Sequence, residues 1–309
     1  MRRVTLLITA VALTLVVPAA QAEDDLAGYL ESAMHAEFSG SGVVMCVWGV
    51  DSAATTYEIT RTDGMSMVTG PDGEFMTHDG MTASSSGADW YALEVSEWAA
   101  WNMSDRYRLG DPTPTERLGR SATEITVMED DLIRARIVLD DASTVPLLTE
   151  VYNAAGEVFR MSALVEFEPD VPEMPHMPEE YVEYDMLMPG EVSADLPEDV
   201  GGYTRTDTYG LDSSTQSFYS DGLFTFSVFE AGRGAVPTDF RTATAFEVDG
   251  LQYRRIISPN NVWVQWSSPE HSYVLVGDLP PDHISEVLAG LPDPGTRGVM
   301  MRLIDRLFG

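Results

Sequence analysis

Apolar and polar positions alternate with a period of two over much of the chain, and Asp-Gly pairs interrupt the alternation at short intervals. The pattern is densest from Leu196 to Leu279. There, Phe218-Tyr-Ser-Asp-Gly-Leu-Phe-Thr-Phe-Ser-Val-Phe-Glu230 sets Asp221-Gly222 beside a strong apolar run, which is a hairpin signal. Leu223, Thr225, Ser227 and Phe229 fall on one side of an extended chain, and Phe224, Phe226 and Val228 on the other. Both sides are largely apolar, so the spacing predicts a strand with little exposed surface. Ala245 to Ile257 repeats the pattern around Asp249-Gly250, and Asn261 to Trp266 and Ser272 to Gly277 add two more runs. Pro280 to Ala289 then reads as a short closing helix.

The first half carries the same grammar. A helix is expected from Asp24 or Asp25 through Phe38, with Leu26, Leu30, Ala33 or Met34, and Phe38 on one stripe, ended by Gly40 to Gly42. Strands follow at Gly42 to Val50, Thr55 to Thr62 and Met65 to Val68, with turns at Asp63-Gly64, Asp72-Gly73 and Asp79-Gly80. Trp90 to Trp101 is either a helix with Leu93, Trp98 and Trp101 inward or an irregular covering segment. Four more strands are expected at Ala122 to Val127, Ile133 to Leu139, Leu147 to Tyr152 and Val158 to Phe167. Arg134, Arg136, Glu150 and Arg160 alternate there with apolar neighbours, which predicts one wet face and one covered face. Pro169, Pro172, Pro175, Pro178, Pro189 and Pro197 lie among acidic residues and predict an extended linker rather than a packed sheet. The tail places Met300, Leu303, Ile304 and Leu307 on one side of a helix and three Arg elsewhere. It packs against the rest of the chain, or docks on a membrane surface or a partner. The fold class is α+β, mainly antiparallel β.

Composition sets the address. Met1-Arg2-Arg3, an apolar run from Val4 to Val17 and Ala20-x-Ala22 read as a cleaved secretory signal over residues 1-22, the alternative being an uncleaved membrane anchor. The expected location is therefore extracytoplasmic, periplasmic where there is an outer membrane. Acidic residues number 50 against 18 basic ones, all Arg, a formal net charge of −32. Such a field repels nucleic acid and anionic lipid headgroups, which excludes a DNA-binding role. A hydrophobic content of 44% argues against disorder despite that charge. The lone Cys46 permits no intrachain disulfide and reads as a buried small hydrophobe.

Catalytic chemistry is not legible. No His-Glu-x-x-His, Gly-x-Ser-x-Gly, phosphate loop or Cys pair occurs, and His35, His78, His176, His271 and His283 have no ligand spacing. The expectation is a binding protein with no catalytic residue, cofactor or resident metal. Met174-Pro-His-Met177 with Met186 and Met188 offers soft ligands suited to Cu(I), or is plain linker.

The order Leu-Pro, Gly-Tyr, Tyr-Ser-Asp-Gly-Leu, Phe-Ser-Val-Phe, then Tyr-Val-Leu-Val-Gly-Asp-Leu-Pro-Pro and a terminal helix resembles the C-terminal domain of the MucB/RseB family. Gly119-Arg120-Ser-Ala, Arg-Ile-Val-Leu-Asp140 and the Val145 to Phe159 run are similar to its N-terminal domain. Phe38-Ser-Gly-Ser-Gly departs from the family's lead-in. The resemblance implies a large half-open β-barrel wrapped around helices, of the lipoprotein-carrier kind, over 23-168. It also implies a smaller partner-binding β domain with a closing helix over 196-292; the proline-rich linker over 169-195 and the amphipathic tail over 293-309 are read from the residues themselves. The implied function is regulation of an envelope-stress sigma factor by binding the extracytoplasmic domain of a membrane-bound anti-sigma factor. An apolar groove would sense lipid or an acyl chain, with Val43, Met45, Val47, Trp90, Trp98 and Trp101 as candidate lining. Tyr219, Phe224, Phe226, Trp263 and Trp266 are the candidate partner contacts. The alternative is a lipid or lipoprotein carrier that uses the half-barrel as a container.

Overall fold

The computed structural model describes residues 32–33, 36–62, 65–71, 73–78, 81–84, 106–169, 188–189, 195–211, 214–232 and 242–295. Strands β1 (Phe38–Trp48), β2 (Asp51–Thr62), β3 (Met65–Gly70), β4 (Gly73–His78), β5 (Met81–Ser84), β6 (Tyr107–Leu109), β7 (Thr113–Arg117), β8 (Arg120–Glu129), β9 (Leu132–Asp140), β10 (Pro146–Tyr152) and β11 (Val158–Glu168) form a first sheet. A second sheet holds β12 (Met188–Pro189), β13 (Asp199–Val200), β14 (Tyr203–Leu211), β15 (Ser214–Ser220), β16 (Thr225–Gly232), β17 (Thr244–Val248), β18 (Leu251–Ile257), β19 (Val262–Ser267) and β20 (His271–Gly277). One helix, α1 (Pro281–Gly290), follows them.

Both sheets are open and antiparallel. The first runs β5-β4-β3-β2-β1-β11-β10-β9-β8-β6, with β7 also on β8; the second runs β12-β14-β15-β16-β20-β19-β18-β17, with β13 on β14. The local hairpins follow from turn chemistry. Asp249 and Gly250 take φ of 51° and 80°, the positive pair of a type I′ turn, and so fix the β17–β18 register. The long-range closures, β1 on β11 and β16 on β20, bring distant runs side by side with Val43 opposite Ala163 and Val228 opposite Leu275.

The predicted strands are present. Of the expected turn pairs between them, Asp63-Gly64, Asp72 and Asp79-Gly80 lie outside the described residues, and Gly73 opens β4. The helix expected to reach Phe38 is corrected. Ser32 and Ala33 are helical, but Phe38 opens β1, and Gly40 and Gly42 are paired inside that strand. They are close-approach positions rather than helix stops. A Cβ on Gly40 would lie 2.5 Å from the Glu166 carbonyl oxygen, and one on Gly42 would lie 2.5 Å from the Tyr57 ring. Part of the proline-rich stretch also departs from a plain linker, because Met188–Pro189 pairs with β14 at the sheet edge, where a missing N–H is tolerated. The signal segment, Trp90 to Trp101, Met174 to Met186 and the tail beyond Gly295 lie outside the described residues.

One apolar cluster runs through both sheets. Ile125, Val127, Ile137, Leu139 and Phe159 of the first meet Tyr203, Tyr219, Phe224, Phe226 and Leu275 of the second, with Ile284, Val287 and Leu288 of α1. A separate cluster around Phe38, Val44, Tyr57 and Leu164 fills the first sheet alone. Cys46 is a fully buried free thiol, and burial pushes its pKa up to about 12.

Candidate functional site at the junction of the two sheets

Where the sheets meet, the interface changes from apolar to charged. Glu129 and Arg134 flank the β8–β9 turn, Arg106 precedes β6, and α1 brings Asp282, His283 and Glu286 against them. The Glu129 carboxylate is gripped by both the Arg106 and Arg134 guanidinium groups. Arg134 reaches Asp282 at 2.7 Å, and Arg106 reaches Glu286 at 3.2 Å and donates to the Gly201 carbonyl at 3.0 Å. The Gly201-Gly202 turn lets this happen: both residues have positive φ, and a Cβ on Gly202 would stand 2.7 Å from the Arg106 guanidinium.

At the centre is the His283 side chain, fully buried, with Tyr203 and Phe224 edge-on to its ring. Its Nε2 lies 2.9 Å from Arg106 Nη2 and 3.2 Å from Glu129 Oε2, and its Nδ1 lies 2.7 Å from the Tyr203 hydroxyl. A neutral ring fits best with Nε2 bare, since an Nε2–H would face the Arg106 donor as well as Glu129. With Nε2 bare it accepts from Arg106, and with Nε2–H it donates to Glu129 while Nδ1 accepts from Tyr203. A protonated ring would aim an N–H at Arg106. Burial, together with Arg106 and Arg134, holds the His283 pKa below the ordinary histidine value, against the opposite pull of Glu129. Burial alone would raise Glu129, but its bonds to Arg106 and the neighbouring His283 and Arg134 keep it below the usual carboxylate value.

Two further locks flank this cluster. Tyr107 donates to Asp221 at 2.6 Å, while the other Asp221 oxygen accepts the amides of Leu223 and Phe224 at 3.0 and 2.8 Å. Burial raises the Asp221 pKa despite those donors. Arg160 of β11 pairs with Asp278 at 2.9 Å. Farther along, Arg255 of β18 bonds Asp51 at 2.8 Å with its guanidinium 4.2 Å above the Trp48 ring.

The expected wet face is thereby corrected at two of its positions. Arg134 is 4% exposed and Arg160 16%, because the second sheet and α1 cover them and supply Asp282 and Asp278 as partners. The aromatic positions expected to meet a partner are inside the molecule. Tyr219 stacks on Phe226 at 4.8 Å, Phe224 packs on Tyr107 and His283, and Trp266 stacks on Tyr273 at 5.2 Å. Trp263 is buried separately with Val274 and Val276 on the other face of β19 and β20. Their burial sets these rings to hold the fold in this structure. Val43, Met45 and Val47 share one half-buried face of β1, opposite Val44 and Cys46. None of them borders the open groove of about 760 Å³ at the far end of the first sheet, where Ile59, Leu118, Arg120, Val165 and Phe167 form part of the wall. Among the described residues, no group of three or more His, Cys, Asp and Glu is placed to hold a metal, and no helix is long and apolar enough to cross a membrane.

No protein-family model and no curated relative matches the sequence. Solved structures do, and the class they define is a two-sheet antiparallel fold: that of MucB. MucB in complex with MucA(peri) matches with a TM-score of 0.55 and 20% identity, over 89% of this chain and 99% of that one. MucB alone gives 0.55 and 21%, over 89% and 98%. The complex of Pseudomonas aeruginosa MucA and MucB gives 0.54 and 21%, over 89% and 99%. The chain therefore has the MucB fold through both sheets.

Proposed function

We propose that this chain is an exported, non-enzymatic regulator of the MucB/RseB kind that binds the extracytoplasmic region of a membrane-bound anti-sigma factor. The observation that carries the reading is the reach of the likeness. It takes in nearly the whole of MucB, both sheets together, and one of the matched structures holds MucB with MucA(peri). The sequence motifs quoted above resemble the same family independently of the coordinates. In this reading the first unit spans 23-168, the linker 169-195 and the second unit 196-292, and the charged junction sets the angle at which the two present themselves to a partner.

Lipid sensing belongs to the same proposal. In the groove at the far end of the first sheet Leu118 is 42% and Val165 51% exposed, an apolar strip that an acyl chain would cover between polar walls that include Ser41, Glu58, Thr60, Arg120 and Glu166. That observation also favours a second reading, a lipid carrier. The test is affinity capture from an envelope extract with the full chain as bait, followed by native mass spectrometry of the eluate. Recovery of a single-span protein whose cytoplasmic part holds a sigma factor is expected. Stoichiometric lipid with no such polypeptide would replace the regulator by the carrier.

A further inference from the structure

Among the described residues, strand β2 is only half covered. Along its whole length it pairs with β1, from Trp48 opposite Asp51 to Phe38 opposite Arg61. On its other side β3 pairs with Glu58 to Thr62 and stops at Thr69 opposite Glu58. The β1–β2 connection is the two-residue turn Gly49-Val50, so Trp48 and Asp51 form a hydrogen-bonded pair and the bonding alternates from there. By that alternation Asp51, Ala53 and Thr55 bond to β1. Ser52, Ala54 and Thr56 aim their N–H and C=O groups outward, and among the described residues no strand takes them up.

Sheet edges in soluble proteins are defended by charged side chains, proline, bulges or brevity. Ser52-Ala-Ala-Thr-Thr56 has none of the first two, and its pairing with β1 is regular throughout. It is an uncharged run of small and β-branched residues in a chain whose net charge is −32. Ser52, Ala54 and Thr56 are exposed. They stand on the same face as Val47, Met45 and Val43, their cross-strand partners, so an added strand would extend that half-buried apolar row. The notch has fixed ends, the Asp51–Arg255 ion pair at the junction and the last residues of β3. About five residues fit between them at roughly 3.3 Å each.

We propose that this edge is a docking strand for an extended peptide of about five residues, apolar at alternate positions and neutral or basic elsewhere, taken up by β-augmentation. The backbone ladder supplies binding, and the small exposed side chains of Ser52, Ala54 and Thr56 meet the alternate side chains and leave them room to reach toward the Val43, Met45 and Val47 row one strand beyond. The charge of the chain selects the occupant, since a second copy would bring another −32 to the edge whereas a neutral or basic segment is attracted. The inference deepens the partner-binding reading by naming where the partner's chain lies, and it can fail apart from that reading.

The probe is Arg-Val-Thr-Val-Thr-Val-Arg-amide with fluorescein on its N-terminal amine, titrated into the full chain at 0.15 M salt and followed by anisotropy. Ala54→Pro deletes an outward N–H that β1 does not use, so the sheet should persist while binding weakens at least tenfold. A twin peptide N-methylated at alternate residues should bind the wild-type chain at least tenfold more weakly, which tests the ladder without altering the protein. Equal affinity within twofold in both comparisons, or no saturation by millimolar probe, overturns the proposal. So does a wild-type dimer in sedimentation that disappears in Ala54→Pro, since the edge would then belong to a second copy. Capture of the anti-sigma protein by Ala54→Pro at wild-type yield would remove this edge and leave the regulatory function standing.

Discussion

Replacing Arg134 by Ala removes the cation that bridges the β8–β9 turn to α1. Arg134 is 4% exposed, and its two carboxylate partners, Glu129 and Asp282, are 13% and 25% exposed. Breaking a buried pair by deleting one member costs about 3–5 kcal/mol, because the partner charge stays desolvated. Here the survivors keep some company. Glu129 still holds Arg106, and Asp282 still accepts the Ala154 amide at 3.1 Å. The low end applies, about 3 kcal/mol, which at roughly 1.5–2 °C per kcal/mol for a chain of this length lowers Tm by about 5–6 °C. Calorimetry of the wild type, Arg134→Ala, Asp282→Asn and the double variant closes a cycle whose coupling energy should exceed about 1 kcal/mol. Hydrogen exchange should quicken at the β8–β9 turn and the first turn of α1 while the far end of the first sheet is unchanged. The same variant removes one of the two cations that hold His283 neutral, so the His283 pKa should rise. A destabilisation below about 1 kcal/mol, or additivity within about 0.5 kcal/mol, would refute the assignment of Arg134 as a junction bridge.

The depressed pKa of His283 has a signed consequence. The unfolded ring binds a proton near its ordinary value of 6.5 while the folded ring resists it, so stability is complete above that pH and drains away as pH falls below it. Thermal melts between pH 7.5 and 5.5 should show this slope, and His283→Gln should flatten it; an unchanged slope would assign the loss to other groups. Tyr107→Phe deprives the buried Asp221 of one donor and should cost about 1.5–3 kcal/mol in denaturant unfolding, the range for a hydrogen bond to a charged group. Arg255→Lys keeps the charge but loses the planar group over Trp48, so Trp48 should become more accessible to acrylamide quenching, with a global stability change below about 1 kcal/mol.

The strands were legible because a period of two survives local noise, and the hairpins because Asp-Gly dictates its own backbone. The short β6 and β7 were not, since Thr-Pro-Thr-Glu-Arg is polar and carries a proline, and it is held as a strand by β8 rather than by any propensity of its own. The junction was misread for a more general reason. Alternation says which side of a strand a residue takes and nothing about what occupies that side, so Arg134 and Arg160 read as wet when their partners lie on α1 and on the chain leading into it. Aromatic density has the same ambiguity, because Tyr219, Phe224 and Phe226 are written alike whether they face a partner or a core. Periodicity of a different kind did carry the missing information. In Pro281–Gly290, His283 stands one turn before Val287, as Ile284 stands before Leu288, so the helical spacing places the imidazole on the apolar stripe. A polar ring inside an apolar stripe must find partners for both nitrogens there. In a chain whose basic residues are all Arg, the strand guanidinium groups set among apolar neighbours were the cations available to stand near it.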